Sequence, residues 1–163
     1  QSGDVPVTYA DTTALIVRQE GNNAHTHPFV SVYEAYKKSG PNVLGVEALQ
    51  GDDGCTGVKV NTADGYADYL FSATDMQAHH PSKRVSFCGG LGLIREKEGQ
   101  IQLMYLGCGR SLKKGNFVLE SDHDVYAAIY MQHGVWYYSA TGPVRVKIGK
   151  ETKELNEGYN QKL

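Results

Sequence analysis

The chain has 163 residues, is 40% hydrophobic and 21% charged, and carries a formal net charge of −2. That length suits one domain (1–163) with its own core, and the apolar content excludes a disordered polymer. The small net charge gives no global attraction for nucleic acid or an anionic membrane, and every apolar run is too short to span a bilayer, so neither is expected as a partner.

Nineteen glycines and eleven tyrosines predict many short strands joined by tight turns. Gln1-Ser2-Gly3-Asp4 lacks the pattern of a signal peptide and reads as the exit from a preceding segment. Val5 to Tyr9 and Ala14 to Arg18 read as the first strands. Phe29 to Tyr36, apolar on both faces over its first half, reads as a central one. Val43–Leu49 follows a Ser39-Gly40-Pro41-Asn42 turn, and Gly51-Asp52-Asp53-Gly54 turns the chain again.

In the next strand Val58 and Val60 point one way, Lys59 and Asn61 the other. Tyr66 to Ala73 is a strand, and Gln77 to Ser82 a loop that contains His79-His80. Val85 to Arg95 holds Gly89, Gly90 and Gly92, which predict a bulge or a close backbone approach. Ile101–Leu106, Phe117–Leu119, Val125–Gln132, Trp136–Tyr138 and Val144–Ile148 complete the regular pattern, and Glu151–Leu163 reads as one edge strand plus a frayed tail. No segment has the 3.6-residue period of a helix. The expected fold is all-β, a two-sheet antiparallel β-sandwich of about ten to twelve strands.

Candidate chemistry is sparse. His25-Thr26-His27 would place two imidazoles on one face of a strand, the geometry of metal sites in cupin-like β-barrels. Glu34 lies too far beyond His27 and Gly21 too close before His25 for that motif, so His25 and His27 are weak metal candidates and no cofactor is expected. Asp122-His123-Asp124 cannot align a base with its orienter and a distant nucleophile, and reads as a turn into a strand. Gly89-Gly90-Leu91-Gly92 lacks the Lys-Ser/Thr ending of a phosphate loop. Three cysteines without C-x-x-C spacing allow one disulfide at most. No catalytic residue is assigned. Trp136-Tyr137-Tyr138 could stack on sugar rings, although a sandwich core also needs large side chains and core packing is the better reading of Trp136. Trp136, Tyr138 and His27 are therefore the candidate glycan contacts.

Two stretches carry a family resemblance. Leu15-Ile16-Val17-Arg18-Gln19-Glu20-Gly21, then His27-Pro28-Phe29-Val30-Ser31-Val32-Tyr33-Glu34, resembles a segment near the start of the C-terminal β-sandwich of heparinase II/III-like polysaccharide lyases. Gly134 to Tyr138, with the Gly142-Pro143 turn and Val144–Ile148, resembles the closing hairpin of such a domain. Pro28, Ala35 and Tyr36 depart from the family pattern. The resemblance implies a secreted or periplasmic multidomain lyase whose catalytic residues sit in other domains, so none carries over to this chain. The function it implies is a non-catalytic C-terminal domain that supports the catalytic domains of the same parent chain and contacts polysaccharide. An independent carbohydrate-binding module and a small metal-dependent barrel enzyme are the alternatives.

Overall fold

The computed structural model describes residues 31–34, 40–49, 55–77, 79–80 and 85–163. Eleven strands lie among them: β1 (Val43–Leu49), β2 (Cys55–Thr62), β3 (Tyr66–Ala73), β4 (His79–His80), β5 (Val85–Lys97), β6 (Gln100–Lys114), β7 (Phe117–Gln132), β8 (Val135–Ala140), β9 (Val144–Ile148), β10 (Glu151–Leu155) and β11 (Gly158–Lys162). All pairings are antiparallel, and the described residues contain no α-helix.

Three long strands build both layers of the sandwich. The second half of β5 pairs with β3 while its first half pairs with β4. The first half of β7 pairs with β9 and its second half with β8. One layer therefore runs β1-β2-β3-β5-β6-β7-β8-β11, and the other runs β4-β5-β6-β7-β9-β10. Strands that change layer do so at bulges, where an extra residue breaks the ladder and bends the chain. Register shifts mark these corners between Cys88 and Gly89 in β5, and around Gly109 in β6.

The corner depends on missing side chains. Gly89 has φ +151°, and a Cβ there would lie 2.5 Å from the Gly109 Cα. Beyond the bend, a Cβ on Gly92 would lie 2.8 Å from the Phe87 ring. Five residues of extended strand would separate the two by roughly 16 Å, so the chain has folded back on itself. Phe87 then stacks on Phe71 at 5.5 Å between ring centroids. One core joins the layers, with Phe71, Ile94, Met104, Leu106 and Ile129 packed against Phe87, Leu112, Leu119, Val144 and Val146.

The all-β antiparallel sandwich is thus as the sequence predicts, and Val43–Leu49, Tyr66–Ala73 and Val144–Ile148 match residue for residue. Four expectations are corrected. His79-His80 is a short strand, and His80, only 2% exposed, packs its ring on Phe71 because the corner brings it under the core. Phe117–Leu119 and Val125–Gln132 are one strand, since the residues between them carry the chain around the corner. The C-terminal stretch forms two strands, because β10 finds an edge on β9 and β11 an edge on β8. Ser31–Glu34 is not strand; Val32 and Tyr33 are exposed, while Glu34 accepts backbone N–H bonds from Asn42 (2.6 Å) and Val43 (3.0 Å). The readings on Val5–Tyr9, Ala14–Arg18, His25, His27 and Gly51–Gly54 lie outside the described residues.

Gly89→Ala should destabilise the domain by about 2–3 kcal/mol, because it adds backbone strain to a collision with backbone. Gly115, at φ +57° with open space around it, should lose only about 1 kcal/mol on the same change. Urea titrations of the two variants check the difference.

Candidate functional site

The corner opens a polar cleft of about 480 Å³ between the ends of β6, β7 and β9. The bend in β7 lifts Ser121, Asp122 and His123 to its rim, and Arg110, Lys113 and Arg145 project into it from neighbouring strands. Every one of these cations is engaged. Lys113 meets Glu120 at 2.6 Å, Arg145 bridges Glu120 (2.8 Å) and Glu154 (2.7 Å), and Arg110 meets Asp124 at 2.9 Å. Three cations and the three carboxylates Glu120, Asp122 and Glu154 line the cleft. Its charge is balanced, so it does not concentrate a polyanion.

Nor is the cleft arranged for proton transfer or nucleophilic attack. Ser121 Oγ donates its proton to the Pro143 carbonyl at 2.8 Å, so a main-chain oxygen and not a base holds it. Burial pushes the Cys88 thiol above its ordinary pKa, which keeps it a thiol and a poor nucleophile. His123 is exposed and lies against Gly142, 2.8 Å from where a Cβ would stand. Asp122-His123-Asp124 is therefore the corner of β7 and not a turn before a strand. Among the described residues no three His, Cys, Asp or Glu side chains converge as metal ligands.

The aromatic residues divide by strand parity. Trp136 and Tyr138, on the inner face of β8, pack against the core; Trp136 meets Phe117 at 5.8 Å and lines a crevice of about 270 Å³. The structure therefore keeps these two candidates on the core side, and His27 lies outside the described residues. The outer face of the same layer carries Tyr105, Tyr126, Tyr130 and Tyr137. Tyr130 stacks on Tyr137 at 5.9 Å. Tyr105 and Tyr126 join Tyr159 around a shallow trough of about 700 Å³. Tyr126 was legible in the Tyr-Ala-Tyr alternation opposite Val125, Ala127 and Ile129; Tyr159, in an irregular polar tail, was not.

Fold and cleft together define a β-sandwich domain whose described residues hold no acid–base or nucleophile constellation. Comparison with known proteins then places it. The family model of the endo-acting ulvan lyase C-terminal domain matches residues 43–131, more than half of the chain, and the chain belongs to that family. An endo-acting ulvan lyase of Formosa agariphila is 33% identical over 117 residues, which cover 68% of this chain and 14% of that protein. This chain therefore spans only a small part of the length of its curated relative. No solved structure matches.

Glu120, flanked by Lys113 and Arg145, has its pKa held below the usual carboxylate range, with Lys113 the larger cause. A depressed folded pKa adds stability that is present above the ordinary carboxylate range and is lost as pH falls through the folded value. Glu120→Gln should cost about 1 kcal/mol at pH 7. The difference from wild type should shrink steadily below about pH 4, as urea midpoints across pH would show.

Proposed function

We propose that this domain is a non-catalytic accessory module of a secreted or periplasmic polysaccharide lyase, docked on the catalytic domains of its parent chain and contacting uronic-acid glycan. The observation that carries the docking is an apolar strip at the β1 edge. Leu44 is 70% exposed and Val46 51% exposed, and Leu70 lies across β2 on the same outer face as Val46. Val58 and Val60 of β2 stand between Val46 and Leu70 on that face, are buried and lie outside the main core cluster, so this end of the sheet buries apolar surface on the face away from the sandwich interior. Large exposed aliphatics grouped in this way are the mark of an interaction surface.

The position of the strip favours a partner in the same chain. Glu34 holds the backbone of Asn42 and Val43, so the polypeptide arrives at β1, the strand that carries Leu44 and Val46. The relative's name supports a polysaccharide as the parent's substrate, and the domain's share of that relative supports a larger body beside it. The narrower kinship with heparinase II/III-like lyases rests on Leu15–Glu34 and Gly134–Ile148, outside the matched residues 43–131; within the proposal, it names the type of catalytic body.

In the parent lyase, Leu44→Asp with Val46→Asp should detach this domain. Limited proteolysis should then release it faster by tenfold or more, with each part retaining its own melting transition. Unchanged proteolysis would remove the docking surface from the reading. The isolated 163-residue chain should generate no unsaturated chain ends from ulvan, and their appearance would overturn the non-catalytic assignment.

A further inference from the structure

We propose that Tyr126 and Tyr159 form a stacking platform for the pyranose rings of a polysaccharide, with Tyr105 as its floor and Ser139, Thr141 and Glu157 as its hydroxyl partners. The proposal rests on the glycan-contacting reading above and gives that contact a place in the fold.

The trough holds about 700 Å³, within the roughly 300–1,000 Å³ of ordinary ligand sites. Its floor is flat because Gly107 has no side chain: a Cβ there would stand 3.1 Å from the Tyr105 ring, which lies over its own strand. Ala128, opposite Tyr105 on the same face, keeps the space open above the sheet. Such a surface suits the flat C–H faces of sugar rings, which combine apolar area with a rim of hydroxyls.

Both wall residues are built to stay in place. The Tyr126 amide donates to Thr141 Oγ1, and the Thr141 amide donates to the Tyr126 carbonyl, each at 3.0 Å. Tyr159 sits in a register shift of β11, just before Asn160 at φ +53°. Asn160 is held from two sides, by its amide on Ser139 Oγ at 2.9 Å and by the Tyr130 hydroxyl on its Oδ1 at 2.5 Å. This bulge leaves the Tyr159 ring 83% exposed, and Tyr126 is 54% exposed. Bulges commonly re-aim a side chain next to a site, and anchoring the backbone lowers the entropy lost when a ligand is stacked.

The polar groups match a sugar. Ser139 and Thr141 oxygens each accept one backbone amide and keep a hydroxyl proton to donate, and the exposed Glu157 carboxylate accepts. No Lys or Arg lines the trough. Acidic substituents of the glycan must point to solvent, and affinity must come from stacking and hydroxyl bonds. A protein partner is less suited, since a stable protein interface needs about 800 Å² per side, whereas this trough is narrow and its phenols project into solvent.

Titration calorimetry of the full 163-residue chain with ulvan tests the assignment. Tyr126→Ala and Tyr159→Ala should each weaken binding about tenfold. Tyr126→Phe should bind like wild type, and all three should keep the wild-type melting temperature because the rings are exposed. Affinity should survive about 1 M NaCl, where the Debye length is about 3 Å. Binding that persists in both alanine variants, or that is abolished by salt, would overturn the platform and leave the glycan-contacting reading standing. Ulvan that fails to bind the wild-type chain would end both. If the alanine variants instead release the domain from the parent lyase in the proteolysis assay, the trough is an interdomain contact and the platform is wrong.

Discussion

The close backbone approach of Gly89 to Gly109 is the constraint on which the rest of the structure depends. Antiparallel strands pair at about 4.8 Å with side chains alternating to either face, and a fold through the sheet requires two chains to cross with nothing between them. Glycine at both positions removes the obstacle. Once the sheet folds there, Phe87 lies over Gly92 and against Phe71, and His80 is drawn beneath the same ring. The core of the sandwich is therefore a consequence of the corner as well as of the apolar content of the strands.

The corner also accounts for the cleft. The bend in β7 spreads Ser121, Asp122 and His123 away from the ladder, and the chain turns there toward β9. Charged side chains exposed by the bend pair with each other: Lys113, Glu120, Arg145 and Glu154 form a chain of contacts along adjacent strands. Across a sheet, opposite charges placed side by side contribute modestly to stability. The cleft is thus explained by the geometry of a folded sheet, and its balanced charge separates it from a polyanion site. Concavity alone is a poor guide to function in such a fold.

Much of the fold was legible because β-strands declare themselves through alternation, and turns through Gly, Pro, Asn and Asp. Gly89, Gly90 and Gly92 marked a bulge correctly, since only a backbone constraint explains three glycines inside an otherwise apolar strand. What alternation does not carry is which partner a strand will find. His80 reads as a loop residue until the corner covers it, and Glu151–Leu163 reads as one edge strand and a frayed tail until the edges of β9 and β8 are there to pair with two strands. The site followed the same rule. Parity separates Trp136 and Tyr138 from Tyr137, but parity alone does not say which face is inside. The exposure of Tyr159 depends on a bulge and a left-handed asparagine that no local pattern announces.

The two proposed contact places on the outer face are tied together by the sheet itself. The layer that carries them runs through eight strands from β1 to β11, and at about 4.8 Å per strand its edges lie about 34 Å apart along the sheet. The apolar strip of Leu44, Val46 and Leu70 lies toward one edge, where the chain arrives, and Tyr159 stands on the other. A continuous ladder resists bending except at its bulges, and those in β5 and β6 turn strands into the second layer without interrupting the first. A body docked at β1 would therefore have the tyrosine trough presented at a fixed offset, several nanometres across the same surface. A glycan held by the docked body and by the trough at once would have to be long enough to cover that offset. The gain in effective concentration that comes from linking two binding places is lost when the ligand cannot reach from one to the other. On the proposed reading, a domain of this design would add affinity for long polymer chains and not for short ones, a distinction that follows from the strand count and not from the chemistry of the sugar.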